Sequence, residues 1–365
     1  LMNQKLLNLH FHFIMKILYI PIIDESLVYT TQAGDYQADS LFHGLRSLLG
    51  EDVVDGYKMW HLYKSLKDNP DVIPKLWGKG FTIYGLLSDD DNIDRDDIGR
   101  KIANHYYDYL VMPIHHTLNG KYEPVLNILE SIRSYYDRNE LIVVDGWDRC
   151  NINEDIARCG IYFKRELFDQ YRDIALPISF SIPEEKICDP LERNFDFAPL
   201  VPNCTGEHAD SYIYDNEEDY YNDYRSSYFA YTCKKGRDEM ISEGWDCMRH
   251  YEILACGCVP FFTDIEKCQD LTLARFPKVL CIEAKKLAGL LPGTKQPYNP
   301  DEETFIGTAK EILPGEKRGS IDFSKFDLVQ YNDIREQLIH HTKTKLTTIS
   351  TAKDFLDRIK TWRLR

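Results

Sequence analysis

The sequence predicts a mixed α/β protein in which two helix-flanked parallel sheets face each other across a cleft. Apolar runs of strand length alternate with helical patterns up to about Asp145, and the same alternation resumes between 161 and 283. Such alternation is typical of parallel sheets, because a crossover helix connects consecutive parallel strands. A chain of 365 residues is longer than a single ordinary hydrophobic core accommodates and fits two domains.

The first unit is predicted from four near-continuous apolar runs, as expected for strands that are buried on both faces. They are "KILYIPII" (16–23), "FTIYGLL" (81–87), "YLVMPI" (109–114) and "LIVVD" (141–145). Helical patterns lie between them. In "GDYQADSLFHGLRSLLG" (34–50) leucines recur at helical spacing and Gly50 suits the helix end. "EPVLNILESIRSYY" (123–136) has its apolar residues on one side.

The second unit follows "IYFKREL" (161–167) and a loop-like stretch at 176–194. Its predicted strands are 227–233, 258–263 and 278–283. The acidic, Tyr-rich segment 207–224 indicates an exposed loop or helix, and 329–362 indicates helices. We therefore predict an extension at 1–14, domains at 15–175 and 176–335, and C-terminal helices at 336–365 that brace the two domains.

Composition excludes some classes of function. A net charge of −15 and a pI of about 5.2 argue against general nucleic-acid binding, which needs a large positive face. Ten cysteines without a C-x-x-C pair indicate reduced thiols and a cytoplasmic protein rather than a disulfide framework. Lys16 interrupts the N-terminal apolar stretch, so no transmembrane anchor is expected.

The stretch "GWDCMRHYEILACGCVPFF" (244–262) predicts a short helix that leads into a buried strand. We take Asp246 as its N-cap, with Arg249 in the first turn. An arginine beside free backbone N–H groups suits an external anion such as a diphosphate. Glu252 lies three residues later on the same face, where its carboxylate suits a pair of ribose hydroxyls.

Further candidate donor-site residues lie close to this helix in sequence: Thr232, Lys234, Lys235, Gly244 and Trp245. Arg165, in "YFKREL" (162–167), is a candidate for additional positive charge on the departing diphosphate. A purely structural alternative is an intrahelical Arg249–Glu252 pair of about 0.3 kcal/mol, with Trp245 in the core. For Arg165 the alternative is a solvated face of an amphipathic helix.

"RHYEILACGCVPFF" resembles the donor-binding helix of GT-B glycosyltransferases, in particular the exostosin-like group. In that group an Arg and a Glu precede an A-x-G-C-x-P turn into a strand, and the resemblance covers mainly residues 227–277. It implies a GT-B fold of two Rossmann-like domains. It also implies a nucleotide-diphosphate sugar as donor, with UDP or GDP as the nucleotide, and a glycan or glycoprotein hydroxyl as acceptor.

By the resemblance, Glu252 holds the donor ribose and Arg249 the diphosphate, while Gly257 and Pro260 shape the turn and strand. Many retaining members carry two Glu eight residues apart in this element. Here Glu243 and Glu252 are nine apart, which favours inversion. Enzymes of this type usually work without a metal ion, because cationic side chains and the helix end replace it. No metal or other cofactor is therefore expected.

Inverting transfer needs a base that takes the acceptor proton, and we expect it at the carboxyl end of a strand in the first unit. Asp35 is the first candidate and His115 the second. The other candidates follow strands in the same way: His116, Asp39, Asp145 and Asp148. Each has a structural alternative. Asp39 would cap a helix at Ser40, and Asp145 would begin a turn.

The acidic run "SDDDNIDRDD" (88–97) contains carboxylates that suit Mg²⁺ or Mn²⁺, but its density of acids favours a solvated loop. Two other functions are kept as alternatives. One is a nucleotide-sugar epimerase of the same fold, which turns over the donor without an acceptor. The other is a non-catalytic carbohydrate-binding protein that uses the Tyr-rich surface at 212–224.

Overall fold

The computed structural model of the protein describes residues 15–89, 92–198, 214–234, 244–291 and 319–363. In chain order the strands are β1 (Ile17–Tyr19), β2 (Val53–Asp55), β3 (Tyr109–Ile114), β4 (Leu141–Asp145), β5 (Ile161–Lys164), β6 (Leu176–Pro177), β7 (Phe195–Ala198), β8 (Ser227–Thr232), β9 (Val259–Phe262), β10 (Leu290–Leu291) and β11 (Ser320–Ile321). The α-helices are α1 (Tyr36–Leu49), α2 (Ile98–Ala103), α3 (Glu123–Ile132), α4 (Glu154–Cys159), α5 (Glu217–Arg225), α6 (Met248–Ala255), α7 (Lys278–Lys285), α8 (Leu328–His341) and α9 (Thr348–Arg363).

A six-stranded parallel sheet with the order β2-β1-β3-β4-β5-β6 organises the first part of the chain. Every residue of β3 and β4 is buried, as their continuous apolar runs require. After β1 the chain adds β2 on one side and then crosses to add β3 on the other. The strand order therefore reverses at β1, and the loops that follow β1 and β3 flank this switch point.

The second parallel sheet has the order β7-β8-β9, with α6 between β8 and β9 in sequence. Its core is rich in aromatic residues and includes Trp245, Tyr251 and Phe262. Helix α9 returns to the first sheet and places Phe355 and Ile359 in that core. It packs closely on α1, where Gly44 faces the main chain of Thr348.

The mixed α/β prediction is confirmed, and most predicted elements are present. The runs at 16–23, 109–114, 141–145, 227–233 and 258–263 contain β1, β3, β4, β8 and β9, and the predicted helices at 34–50, 123–136 and 329–362 form. Strands β2, β6, β7, β10 and β11 were not predicted, and β6 lies in the stretch that was predicted as a loop. β2 has only three residues, and β7 alternates apolar and acidic residues without a continuous apolar run.

Two predicted strands are wrong. Residues 81–87 form a turn, since Thr82 and Gly85 adopt positive φ angles of 75° and 66°, which reverse the chain. Residues 278–283 belong to α7, which begins directly after Pro277 and buries Cys281 and Ala284 three residues apart. A short apolar run is ambiguous between strand and helix, and here tertiary packing selects the helix.

Of the Tyr-rich segment 207–224, the structure describes residues from 214 onward, and α5 begins there at Glu217. The tyrosines of this helix are not exposed as predicted. Tyr220, Tyr221 and Tyr224 are all buried. Within the described part of the acidic run at 88–97, most residues are exposed, as a solvated loop requires. None of the nine cysteines that the structure describes forms a disulfide. Among the described residues, each helix is too short or too polar to cross a membrane.

Candidate functional site

The switch point of the first sheet brings Asp35 and His116 together. Asp35 follows β1 and caps α1, where its Oδ1 accepts hydrogen bonds from the main-chain N–H groups of Gln37 and Ala38 at 3.0 and 3.2 Å. Its Oδ2 accepts from His116, which follows β3, at 2.9 Å from the main-chain N–H and 3.0 Å from Nδ1. One carboxylate therefore begins the helix and holds the imidazole.

The side chains of Asp35 and His116 differ in burial and in charge. Asp35 is 7% exposed, whereas the His116 side chain is 37% exposed. Burial alone would raise the pKa of Asp35, but the His116 hydrogen bonds and the neighbouring imidazoles outweigh burial and hold that pKa well below its usual value. The ionised carboxylate accepts the proton on His116 Nδ1, so Nε2 of the neutral ring is the nitrogen left to bind a proton.

His115 is buried beside this pair, but both of its ring nitrogens are occupied. Nε2 donates to the Ala33 carbonyl at 3.2 Å, and Nδ1 accepts from the Thr117 hydroxyl and main-chain N–H at 2.8 and 3.3 Å. Burial lowers the pKa of His115. These contacts hold a neutral ring in one tautomer, so the geometry favours His116 over His115 for proton exchange.

Asp35, His115 and His116 lie close enough together to share a metal ion. Their facing atoms are already bonded, however: His116 Nδ1 donates to Asp35, and His115 Nε2 donates to a carbonyl. A metal would have to displace both bonds. The donor set fits an acid–base pair better than an ion site.

An aromatic surface borders His116. Trp77 is 52% exposed, and its ring centroid lies 5.0 Å from that of His116. A half-exposed indole beside an imidazole suits a ligand with one apolar face and polar edges, such as a sugar ring. The buried Gln37 amide in the first turn of α1 has no hydrogen-bond partner among the described residues.

The helix that carries Arg249 begins later than predicted. α6 starts at Met248 with Cys247 as N-cap, so Asp246 is not the cap. The Asp246 carboxylate is fully buried and has other partners: Oδ2 accepts from the Phe180 main-chain N–H and Oδ1 from the Tyr251 hydroxyl, both at 2.9 Å. Those contacts satisfy the carboxylate more completely than the helix end would.

Arg165 connects the segment that precedes α6 to the first sheet through hydrogen bonds. It is 1% exposed and donates to the Gly146 carbonyl at 2.8 Å, to the Asp246 carbonyl at 2.5 Å, and to the Asp148 carboxylate. The adjacent Glu166 accepts from the Asp246 main-chain N–H at 2.9 Å. The alternative of a solvated helix face at Arg165 is therefore wrong, because these groups surround its guanidinium.

Gly244 and Trp245 lie at the same junction. The Gly244 main-chain N–H donates to the Asp148 carbonyl at 3.2 Å, and that of Trp245 to Glu166 at 3.2 Å. Gly244 has a positive φ of 72°, which suits glycine. Trp245 is 2% exposed and belongs to the second core, with Lys234 Nζ 5.6 Å above its ring. Lys235 and Glu243 lie outside the described residues.

Arg249 belongs to a buried hydrogen-bond chain. Its Nε donates to Thr232 Oγ1 at 3.0 Å, and a second nitrogen donates to the Cys233 carbonyl at 3.1 Å. Thr232 Oγ1 lies 2.7 Å from His250 Nδ1, and His250 Nε2 donates to the Trp245 carbonyl at 2.8 Å. Arg249 is thus oriented at the carboxyl end of β8 by neighbours that are themselves held in place.

Glu252 is buried at a contact between the two parts of the chain. Its carboxylate accepts from the Thr82 hydroxyl and, at 2.6 Å, from the Tyr220 hydroxyl. Burial raises the pKa of Glu252, while these two hydrogen bonds lower it. Two hydroxyl groups on one carboxylate resemble the contacts expected from a ribose diol, but here the protein supplies them.

Sequence reasoning missed the partners of the candidate residues. Thr82 and Tyr220 were not predicted to meet Glu252, because they are separated from it by 170 and 32 residues. Lys164 and Asp145 form a fully buried ion pair at 2.9 Å, which removes Asp145 from the candidate bases. Asp39 lies within α1 and pairs with His61 at 2.8 Å, so it is not the helix cap.

The loop that follows β4 lies between the two groups of candidate residues. Gly146 packs against Gln37 of α1, and Asp148 binds Arg165 and the Gly244 main chain. The structure thus groups Asp35, His115 and His116 at one end of this loop. It groups Arg165, Gly244, Trp245 and Asp246 at the other.

Comparisons of the chain with protein-family profiles, curated proteins and solved structures give no significant match.

Proposed function

We propose that the protein is an inverting glycosyltransferase of the GT-B type, which transfers a sugar from a nucleotide-diphosphate sugar to a hydroxyl of a glycan or glycoprotein. The Asp35–His116 pair at the switch point of a parallel sheet carries the proposal. Ligands of open parallel sheets bind at such switch points. An imidazole held at Nδ1 by a buried carboxylate suits a general base.

In the proposed reaction, His116 Nε2 takes the proton of the acceptor hydroxyl while the acceptor oxygen forms a bond to the anomeric carbon of the donor sugar. The bond from that carbon to the diphosphate oxygen breaks on the opposite face, and its electron pair leaves with the nucleotide diphosphate. Asp35 keeps the ring in place and stabilises the imidazolium that forms. Trp77 offers its exposed face to the acceptor sugar.

The donor is proposed to bind at the start of α6. Arg249 and Lys234 would neutralise the departing diphosphate together with the backbone N–H groups of the helix end. These groups supply the positive charge that a metal ion would otherwise provide, so no metal ion is proposed at this site. The support is the order of β8, a basic sequence segment and α6 along the chain, and the buried network that orients Arg249.

Glu252 is proposed to hold the donor ribose after its present partners move aside. A diol would replace the hydroxyls of Thr82 and Tyr220 at the carboxylate. Thr82 is β-branched and has a φ of 75°, a strained conformation that is often associated with functional segments. The turn that carries Thr82 would therefore open when the donor binds.

A binding screen followed by one pair of variants tests this function. We expect one of UDP, GDP or CDP to stabilise the protein in a thermal-shift assay, and the stabilisation to persist in EDTA. His116→Ala should retain nucleotide binding and lose transfer. Turnover of the donor without an acceptor would indicate an epimerase instead. Absence of any response to nucleotides and nucleotide sugars would contradict the proposal.

A further inference from the structure

A second cluster of metal-binding side chains lies away from the candidate site. His43 of α1 faces Glu184 and Glu185 of the segment between β6 and β7, and one ligand atom from each lies within 4.8 Å of the others. His43 is eight residues further along α1 than Asp35, which is about 12 Å along the helix axis. The cluster is therefore separate from the Asp35–His116 pair.

The imidazole of His43 has one occupied and one unoccupied nitrogen. Nδ1 lies 2.9 Å from the Thr348 hydroxyl, and that hydroxyl donates to Glu184 Oε2 at 3.1 Å. Nδ1 must then carry a proton, so Nε2 carries a lone pair in the neutral ring. His43 is 1% exposed, and its Nε2 is buried without a hydrogen-bond partner among the described residues.

The unoccupied nitrogen points at a carboxylate. His43 Nε2 lies 3.7 Å from Glu185 Oε1, which is too long for a hydrogen bond. Two ligand atoms on a tetrahedral Zn²⁺ ion, each about 2.1 Å from the metal, lie about 3.4 Å apart. The separation of these atoms is within a few tenths of an ångström of that value.

The charge balance also favours a cation. Among the described residues, no Lys or Arg pairs with Glu184 or Glu185, and the adjacent Lys186 binds Glu217 at 2.6 Å. The Glu184 carboxylate accepts hydrogen bonds only from neutral groups, the Thr348 hydroxyl at 3.1 Å and the Ile349 main-chain N–H at 3.3 Å, as far as the described residues show. Two carboxylates thus face the imidazole without a cationic side chain from the described part of the chain beside them.

We propose that His43, Glu184 and Glu185 bind a divalent transition-metal ion of the Zn²⁺ class, with water as a fourth ligand. One nitrogen and two carboxylates are a donor set that Zn²⁺ accepts, and the imidazole disfavours Ca²⁺ and Mg²⁺. Thr348 serves both neighbours, since its hydroxyl holds the imidazole and one carboxylate in place.

The position of the ion implies a structural role. Its ligands come from α1 and from the segment that joins the two parallel sheets, and the supporting Thr348 begins α9. An ion at this point would tie three parts of the fold together. It would stabilise the folded protein because the unfolded chain does not bring these ligands together.

Zinc titration of the tag-free full chain after EDTA dialysis tests the proposal. Glu185 is the residue to change, because its side chain is 53% exposed and its loss leaves the core intact. Glu192→Gln, at an exposed glutamate of the same segment, is the matched control. Calorimetry should show one Zn²⁺ per chain, an affinity at least tenfold lower in Glu185→Gln, and no change in Glu192→Gln.

Thermal unfolding provides the second measurement. Zn²⁺ should raise the Tm of the wild-type protein and of Glu192→Gln, and have a smaller effect on Glu185→Gln. Absence of zinc binding would overturn the proposal. So would binding that Glu185→Gln leaves unchanged, or that is lost only in His116→Ala, since the ion would then lie elsewhere.

Discussion

One carboxylate oxygen of Asp35 accepts two hydrogen bonds from His116, one from the main chain and one from the ring. The other oxygen caps α1. The start of a helix and the orientation of an imidazole thus depend on the same buried side chain. Any change at Asp35 should affect both stability and chemistry, whereas a change at His116 should affect chemistry alone.

His116→Ala should reduce sugar transfer by about 10²–10⁴-fold, the usual contribution of a general base. Nucleotide affinity and Tm should stay close to those of the wild type, because the side chain is partly exposed. Steady-state rates and a nucleotide titration measure the two effects, and exogenous imidazole should restore part of the lost rate. His340→Ala, at an exposed histidine on α8, is the control. Equal losses of transfer rate in both variants would refute the role of His116 as the general base.

Asp35→Asn should lower the free energy of unfolding at neutral pH by about 1–3 kcal/mol, because a charged acceptor of several hydrogen bonds is lost. The pKa of Asp35 is lowered in the folded state. The Asp35 carboxylate therefore contributes its full stabilisation at pH values above 3.8, the pKa of the unfolded state. This contribution is lost as the pH falls through the lower pKa of the folded state. The difference between wild type and variant should shrink below about pH 4.

Urea unfolding at several pH values measures this dependence. Asp173→Asn, at an exposed aspartate, should show no comparable change and serves as the control. A difference between Asp35→Asn and the wild type that grows as the pH falls would contradict the assignment of an ionised carboxylate.

Lys164→Met should lower the free energy of unfolding by about 3–5 kcal/mol, because it leaves the buried Asp145 charge without its partner. Arg158→Met removes a cation whose side chain is 70% exposed and paired on α4, and it should cost less than about 1 kcal/mol. Urea unfolding of both variants gives the comparison. Similar small losses would contradict a stabilising role for Lys164 and mean that the other donors to Asp145, the Tyr122 and Tyr162 hydroxyls and the Trp147 main-chain N–H, suffice.

Thr82→Ala tests whether the Thr82 hydroxyl occupies the proposed ribose site at Glu252. If a diol must displace the Thr82 hydroxyl from Glu252, removing the hydroxyl should tighten nucleotide binding by about 0.5–1.5 kcal/mol, the net contribution of one hydrogen bond. Calorimetric titration measures the affinity, and Thr344→Ala on the exposed surface is the control. Weaker binding in Thr82→Ala would show that the hydroxyl supports the site rather than blocking it.

Gly44→Ala should destabilise the protein by about 1–3 kcal/mol, because the added methyl group would lie 2.1 Å from the Thr348 carbonyl oxygen. Gly99→Ala in α2 meets nothing within 4 Å, and it should be neutral or stabilise by up to about 1 kcal/mol. Thermal unfolding of the two variants compares the same substitution in two helices. Equal Tm values would contradict the close packing of α1 on α9.

Local patterns predicted most of the elements but few of the contacts at the candidate site. The strands β3 and β4 follow from their apolar runs, since burial on both faces leaves a continuous signal. The run at 81–87 is also mostly apolar but forms a turn, and the positive φ of Thr82 that helps to produce this turn cannot be read from hydrophobicity. Asp246 resembled a helix cap in sequence, but its carboxylate accepts from the main chain of Phe180, 66 residues away, and from the Tyr251 side chain of α6.

The sequence by itself determined the α/β class, the first parallel strands and the placement of Asp35 and His116 after two of them. These depend on the period and length of apolar runs, which are local properties of the chain. Only the tertiary structure decided that Asp35 holds His116 rather than His115, and that Thr82 meets Glu252 across 170 residues. Hydrogen-bond partners are selected by which strands lie side by side and how their loops pack, and no local pattern encodes that choice.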